Sequence, residues 1–284
     1  MRNSISQFIL NLVRSIKNDA IRFAMLKPLF VLNKKQLVNF SSFYNDRFFI
    51  YNMGYIALPS QRLNWACDYK IFEEKIDAIA LFNYKIQKGD TIIDIGAGIG
   101  EEAIVLAKRV GENGKVYAIE ANPQVAEILS RVVSLNKFEN VEVHNLAIYK
   151  NNTEIFLEDE VDSYIGGTVS EASSGKKTFA VKANRMDSFM EAHNIQKVDL
   201  LKSNIEGAER FVVDTLSKEN LQKIKNVVIS CHDFKYLRTG NEFYKTKEYV
   251  MNFLTSNGFE ITHQQTGLGY IDDYVYGINK HYQE

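Results

Sequence analysis

The stretch TIIDIGAGIGEEAIVLAKRV, residues 91–110, decides the fold. Its first five residues form an apolar run typical of a buried strand, and its last ten predict a helix. Between them stand Gly96, Gly98 and Gly100. Because glycine adopts backbone conformations that side chains forbid, this spacing predicts a tight strand-to-helix turn whose backbone can approach a ligand closely.

The alternation of strand and helix continues towards the carboxyl terminus. Apolar strands are predicted at KVYAIEAN, VEVHNLAI, VDLLKSNIEGAE and NVVISCHDF, which begin at residues 115, 141, 198 and 226. Asn122 and Pro123 suit the N-cap and first position of the helix that follows the second strand. FEITHQQ and DYVYGIN predict a closing strand pair. Apolar strands separated by helices indicate an α/β three-layer sandwich with a seven-stranded, mostly parallel sheet.

The glycine turn does not match a dinucleotide site. In the fingerprint Gly-x-Gly-x-x-Gly, counted from Gly96, the third glycine falls on Glu101. Glu101 and Glu102 would repel a pyrophosphate at this helix start. This repulsion argues against a nicotinamide-dependent dehydrogenase. It favours a positively charged cofactor without phosphates. Glu120, at the end of the second strand, is suited to bind two ribose hydroxyls. Asp94, beside the glycines, is suited to bind an amino group directly or through water.

These motifs resemble a known family. DIGAGIG, the strand end IEANP, NLAI and above all VDLLKSNIEGAE are similar to the FkbM-type S-adenosylmethionine-dependent methyltransferases, over about residues 72–279. The resemblance implies a class I methyltransferase (Rossmann-like) sheet of strand order 3-2-1-4-5-7-6, with strand seven antiparallel, and S-adenosylmethionine as cofactor. The expected cofactor-binding residues are Asp94, Gly96, Ala97, Gly98, Gly100, Glu120, Ala121, Asn122, Asn145, Ala147 and Asn204.

Three residues near the carboxyl ends of predicted strands are candidates for catalysis: His232, Glu206 and Asp233. His232 is the first candidate for the general base, because an unperturbed histidine titrates near neutrality. It also matches a family histidine at the end of the fifth strand. The chain departs from the family motif at Asn204, where an aspartate is usual, and an amide cannot accept a proton at neutral pH. This departure leaves open a non-catalytic module that keeps the cofactor pocket.

No metal site is predicted from the sequence. The five histidines are scattered without the spacing of a zinc motif, and His144 receives no role. Cys67 and Cys231 are too few for a disulfide framework or a four-cysteine zinc site, so we expect free thiols in a reducing compartment. A Mg²⁺ ion that bridges Glu206 and Asp233 to the substrate is the less favoured alternative.

The charge balance limits the partners. The 284 residues include 34 basic and 35 acidic ones, whereas proteins that bind nucleic-acid phosphates carry a basic excess, so no nucleic-acid partner is expected. The first 40 residues nevertheless hold seven basic residues and one acidic residue. A helix whose basic face is exposed to solvent explains this excess. The alternative with a functional role is a helix within residues 1–35 that binds peripherally to an anionic membrane surface. Neither a spanning helix nor a signal peptide is predicted, so we expect a cytoplasmic location.

The chain is expected to divide into an N-terminal helical and β extension, residues 1–70, and a methyltransferase domain, residues 71–284. The extension and the glycine-rich segment 160–177 are expected to form the acceptor side. Four aromatic residues there suit stacking on a sugar, although core packing explains them equally well: Tyr51, Tyr55, Trp65 and Tyr164. The expected reaction is O-methylation of a hydroxyl on a sugar of a cell-surface glycan or on a secondary metabolite. Carboxyl methylation is the alternative, and the oligomeric state is left open.

Overall fold

The computed structural model describes residues 2–64, 67–158, 169–170 and 178–282. The helices are α1 (Arg2–Ser15), α2 (Asp19–Leu32), α3 (Tyr69–Ala78), α4 (Glu101–Val110), α5 (Pro123–Leu135), α6 (Met186–Ala192), α7 (Glu209–Asp214), α8 (Lys218–Gln222), α9 (Asp233–Thr239), α10 (Lys247–Ser256) and α11 (Gly269–Asp272). The strands are β1 (Asn39–Phe43), β2 (Phe48–Asn52), β3 (Ala57–Ser60), β4 (Thr91–Ile95), β5 (Lys115–Glu120), β6 (Val141–Asn145), β7 (Ala147–Ile148), β8 (Thr153–Glu158), β9 (Val169–Ser170), β10 (Thr178–Asn184), β11 (Val198–Ser203), β12 (Ile224–Ser230), β13 (Phe259–Thr262) and β14 (Tyr274–Asn279).

The central sheet has seven strands in the order β13-β14-β12-β11-β4-β5-β6. The strand β14 runs antiparallel to both of its neighbours, and the other pairings in this sheet are parallel. If only the seven strands of this sheet are numbered in chain order, β4 becomes strand 1. Read from the β6 edge, the order is then 3-2-1-4-5-7-6. The expected class I methyltransferase fold is therefore confirmed.

Successive residues of a strand point to opposite sides of the sheet. Apolar side chains therefore project from both faces of this sheet, and helices cover both. On β11, Leu200 packs into the core formed with α3, α4 and α5, whereas the next residue, Leu201, packs into the core formed with α6, α7 and α10. Both side chains are fully buried. The carboxyl ends of the parallel strands meet at one edge, where an open α/β sheet places its binding site.

The excursion between β6 and α6 forms a second sheet, of order β7-β10-β8-β9. The predicted strands TEIFLE and TFAVKA are β8 and β10, which pair antiparallel. Their inward residues Ile155 and Val181 are buried in a small cluster of their own. Apart from β9, the glycine-rich segment expected at 160–177 lies outside the described residues, and so does Tyr164.

The N-terminal extension packs against the α4 and α5 side of the central sheet. Its two helices and its antiparallel sheet β1-β2-β3 share one apolar core with residues of those helices, among them Ile104 and Ile128. Within the described ranges, no helix is both long enough and apolar enough to cross a membrane.

One of the aromatic residues expected to suit a sugar, Tyr51, belongs to the core of the extension. Tyr51 is fully buried and stacks on Phe30, and its hydroxyl accepts a hydrogen bond from the Asn64 N–H at 2.9 Å. Core packing therefore explains Tyr51, and stacking on a sugar is excluded for it. Tyr55 is 69% exposed, and Trp65 lies outside the described residues.

Candidate functional site

The glycine turn after β4 is held tightly against the end of β11. Gly96 has φ +77°, and a Cβ at this position would lie 2.1 Å from the carbonyl oxygen of Asn204. No side chain fits there, so the backbone of the turn can form the floor of a binding site. Gly98 also has a positive φ, and its N–H donates a hydrogen bond to Glu120 Oε2 at 3.0 Å.

Glu120 ends β5 beside this turn. Its Oε1 accepts a hydrogen bond from the Asn122 N–H at 2.8 Å, and Oε2 accepts from the Gly98 N–H. Burial raises the pKa of this carboxyl, although the two backbone hydrogen bonds oppose the shift. A carboxylate in this position can accept hydrogen bonds from ribose hydroxyls, so the turn and Glu120 fit the adenosine part of S-adenosylmethionine.

A cavity of about 270 Å³ opens beside the glycine turn. Its walls come from the carboxyl ends of β4, β5 and β11 and from Ile155 and Leu157 of the second sheet. Among the described residues, acidic side chains outnumber basic ones on these walls: Glu101, Glu102, Glu120, Glu158 and Glu206 against Lys75 and Lys202. The excess of carboxylates suits a cofactor that carries a positive charge.

Lys202 is a residue to which sequence reasoning gave no role. This buried lysine lines the cavity, with its Nζ 2.8 Å from Asp94 Oδ1 and 2.5 Å from Glu102 Oε2. Burial alone would lower the pKa of Lys202, but the two carboxylates outweigh it and raise the pKa. The signal for it in the sequence was a lysine inside an apolar strand. In the pairing of β4 with β11, Lys202 lies opposite Asp94.

Asp94 is not among the residues that line the cavity. Its side chain is fully buried beneath the turn and faces Lys202. The carboxylate therefore compensates the buried charge of Lys202.

Glu206 follows β11 and lines the cavity. It adopts φ +57°, an uncommon conformation for a residue with a side chain. Its Oε2 accepts a hydrogen bond from Lys235 Nζ and lies 3.3 Å from His232 Nε2. Burial alone would raise the pKa of Glu206, but the hydrogen bonds and charges of His232 and Lys235 lower it.

His232 lies between two carboxylates. Its Nδ1 is 2.8 Å from the fully buried Glu209 Oε1, and its Nε2 faces Glu206. Burial alone would lower the pKa of the imidazole, but both glutamates raise it to about 9. At neutral pH the ring is therefore an imidazolium with both nitrogens engaged. This arrangement disfavours His232 as the general base.

The remaining expected site residues divide into two groups. Those that line the cavity are Gly96, Ala97, Gly98, Glu120, Ala121, Asn122, Ala147 and Asn204. Gly100 instead packs closely on Leu129, and the Asn145 amide donates to the carbonyl oxygens of Glu120 and Ala121. The carboxylate of Asp233 accepts the N–H groups of Thr246 and Lys247 at the start of α10, which is a structural role.

Comparison with known proteins gives the family. The model of the methyltransferase FkbM domain matches residues 94–261, which is more than half of the chain and includes the glycine turn, Glu120 and Glu206. The chain belongs to the FkbM methyltransferase family. The resemblance of the sequence to the FkbM-type methyltransferases is therefore confirmed.

Relatives of this FkbM methyltransferase match parts of its sequence. One is a protein of Sulfolobus acidocaldarius described as a probable cobalt-precorrin-6B C(15)-methyltransferase (decarboxylating), 35% identical over 99 residues, which cover 34% of this chain and 50% of that protein. Another is a protein-L-isoaspartate O-methyltransferase of Methanococcus maripaludis, 30% identical over 128 residues, which cover 45% of this chain and 58% of that protein. The chain thus spans only about half the length of these two relatives.

Solved structures resemble the FkbM methyltransferase more distantly. The methyltransferase FkbM of Methylobacillus flagellatus KT is 16% identical with a TM-score of 0.46, covering 75% of this chain and 51% of that one. Aeropyrum pernix fibrillarin, solved with bound S-adenosyl-L-methionine, is 13% identical with a TM-score of 0.44, covering 86% of this chain and 100% of that one.

Proposed function

We propose that this FkbM methyltransferase transfers the methyl group of S-adenosylmethionine to a neutral hydroxyl, on a sugar of a glycan or on a secondary metabolite. The observation that supports the proposal is Glu206, a carboxylate close to the glycine turn on the wall of a cavity whose charged residues are mostly acidic. No nucleic acid is proposed as acceptor, because its phosphates would meet the same acidic walls.

The charge of the cavity separates hydroxyl from carboxyl acceptors. An anionic acceptor would approach five acidic side chains, and of the two lysines on the walls Lys202 is already compensated by Asp94 and Glu102. A neutral hydroxyl meets no such repulsion and can donate a hydrogen bond to a carboxylate. The acidic walls therefore favour a hydroxyl acceptor over a carboxylate acceptor.

In this proposal Glu206 orients the acceptor hydroxyl and takes its proton. When bound, S-adenosylmethionine supplies a methyl group on a positively charged sulfur. The hydroxyl becomes far more acidic as its oxygen bonds to carbon, so a carboxylate with a lowered pKa is a sufficient base. His232 and Lys235 hold Glu206 in place from the side. Asn204 lines the cavity beside it and supplies an amide for hydrogen bonding.

The experiment compares the wild type with Glu206→Gln on neutral sugars, polyols and carboxylic acids, with methylated product identified by mass spectrometry. Loss of the base should lower kcat by about 10²–10⁴-fold, with S-adenosylhomocysteine affinity nearly unchanged. Glu112→Gln, on the exposed surface, is the matched control. Methylation of carboxylates alone would overturn the hydroxyl proposal. Cofactor binding without product from any acceptor would favour the non-catalytic module.

We further propose that the extension contacts an anionic membrane surface through α2. The exposed face of this helix is largely apolar at a helical spacing, with Ile21, Val31 and Leu32 exposed by 52%, 61% and 80%. The exposed Lys27 and Lys34 lie on or next to the same face. Each basic residue near an anionic surface contributes about 1 kcal/mol of attraction, which complements the apolar contact.

Sedimentation with vesicles tests the membrane contact. The chain should bind phosphatidylcholine vesicles that contain phosphatidylserine, bind plain phosphatidylcholine vesicles much less, and dissociate as salt is raised. Leu32→Gln should weaken the binding. Leu237→Gln, at an equally exposed leucine of α9, should not. Absence of binding, or equal loss in both variants, would refute this contact.

A further inference from the structure

Two histidines and a glutamate meet at the outer edge of the central sheet. Glu142 and His144 are two residues apart on β6, the edge strand, so their side chains project to the same face. His193 is the C-cap of α6, which packs on that face. The sequence predicts no metal site because these histidines are far apart along the chain, and the methyl-transfer site uses none of the three.

Two of the distances between their polar atoms are close to the spacing of ligand atoms around a metal ion. Glu142 Oε1 lies 3.2 Å from His144 Nε2 and 3.4 Å from His193 Nδ1. The three atoms all lie within 4.8 Å of one another. With metal–ligand bonds of about 2.0–2.1 Å, the ligand atoms of a tetrahedral zinc site are about 3.3 Å apart. The three atoms can therefore approach one ion with little movement.

His144 Nε2 makes no aligned hydrogen bond within the described part of the chain. The atom is buried, and Glu142 Oε1 is near it without hydrogen-bond geometry. Buried polar atoms in folded proteins nearly always have a partner, so a buried ring nitrogen of this kind needs an explanation. A cation between the three groups supplies one.

The surroundings hold the three side chains in place. Lys115 Nζ lies 3.0 Å from Glu142 Oε2, which leaves Oε1 towards the histidines. Phe189 contacts both imidazoles edge-on or tilted, with ring centroids 5.1 Å from His144 and 4.5 Å from His193. Groups that orient ligands in this way are characteristic of metal sites.

We propose that Glu142, His144 and His193 bind one divalent cation of the zinc class, with water as the fourth ligand. Two imidazole nitrogens and one carboxylate oxygen favour Zn²⁺ over Mg²⁺ or Ca²⁺, which prefer oxygen ligands. The ion joins the edge strand β6 to the end of α6, so its role is to stabilise this side of the domain. This site is separate from the cavity residues, and its test does not depend on methyl transfer.

The experiment uses the full chain, stripped of metal and titrated with ZnCl₂ against a chromophoric zinc indicator. One equivalent should bind, and CoCl₂ should give the intense visible absorption of a four-coordinate site. His193→Ala and Glu142→Gln should each weaken Zn²⁺ binding by more than about 100-fold, beyond the usual effect of losing an outer-shell contact. Zn²⁺ should raise the melting temperature of the wild type and leave that of His193→Ala unchanged.

His263→Ala is the matched control, because His263 is an exposed histidine outside the cluster. It should bind Zn²⁺ as tightly as the wild type. If a variant folds poorly, the titration of the wild type still tests the proposal. A wild-type chain that fails to bind one equivalent of Zn²⁺ has no such site. Binding retained in His193→Ala, or lost equally in His263→Ala, would also overturn the proposal.

Discussion

At the scale of single residues, Gly96 is the position where the backbone leaves least room. A Cβ there would lie 2.1 Å from the Asn204 carbonyl oxygen, at a φ of +77°. Gly240 has a similar φ of +69°, but nothing lies within 4 Å of its Cβ position. The two glycines share a positive φ and differ in the room for a Cβ, so a comparison of the two isolates the effect of the close approach.

We predict that Gly96→Ala costs on the order of 3–4 kcal/mol of unfolding free energy, because a positive φ and an overlap act together. Gly240→Ala should cost only about 1 kcal/mol, from φ alone. Urea unfolding measures both values, and calorimetric titration with S-adenosylhomocysteine should show loss of binding only in Gly96→Ala. Equal costs in the two variants would contradict the close approach.

The glycine turn and the position of Glu120 beside it were predictable at this scale, and the contacts of His232 were not. The glycine turn and Glu120 belong to one strand–turn–helix unit, in which short-range backbone geometry dictates residue type. The state of His232 instead depends on Glu206 and Glu209, which another strand end brings to both of its ring nitrogens. Their approach is a tertiary event, so the ordinary pKa of a histidine was the wrong guide.

At the scale of elements, the strands and helices of the domain follow from local patterns. The Asn122 side chain caps α5 as predicted, accepting the N–H groups of Gln124 and Val125. Sequence patterns also located β8 and β10, but they did not show that these strands leave the central sheet and form a second one. Strand pairing is decided by long-range packing, which periodicity does not reveal.

The contact of His232 with Glu206 and Glu209 joins the end of β12 to the turn before α7, and its strength should depend on pH. The folded protein holds the pKa of His232 at about 9, above the value near 6.5 expected after unfolding. The folded state then binds the extra proton more tightly. The stabilisation is fully present below pH 6.5 and is lost as pH rises through 9.

We therefore predict that His232→Gln is more destabilising at pH 7 than at pH 10, with a difference on the order of 2–3 kcal/mol. Urea unfolding at the two pH values measures it. His263→Gln, which alters an exposed histidine, should leave the pH dependence of stability as in the wild type. An equal effect of His232→Gln at both pH values would show that the imidazolium does not stabilise this link.

At the scale of the whole molecule, the extension and the methyltransferase domain share a core. Residues from α1, α2 and the β1-β2-β3 sheet pack with residues of α4 and α5 in one apolar cluster. Among the described residues of the extension, none up to residue 70 lines the cavity. The sequence could separate the two segments by composition, but it could not show that their apolar faces cover each other.

The Asn136 amide fastens the two parts together at the end of α5. Its Oδ1 accepts the Ala57 N–H at 2.9 Å, and its Nδ2 donates to the Ala57 carbonyl oxygen at 2.8 Å and to Val132. The Asn257 side chain likewise donates from Nδ2 to the carbonyl oxygen of the residue four positions earlier, Phe253, but it does not contact the extension. Asn257→Ala is therefore a matched control for Asn136→Ala.

We predict that the chain unfolds in one transition and that Asn136→Ala destabilises both parts together. The variant leaves buried polar groups of Ala57 unpaired, at a cost of about 1–3 kcal/mol, whereas Asn257→Ala should cost less. The sole tryptophan, at position 65, makes fluorescence a probe of the extension, while circular dichroism reports the whole chain. In urea the two signals should coincide and shift equally in Asn136→Ala. The signals should coincide because a shared core couples the two parts. A fluorescence transition at lower urea than the circular dichroism transition would mean that the extension unfolds independently.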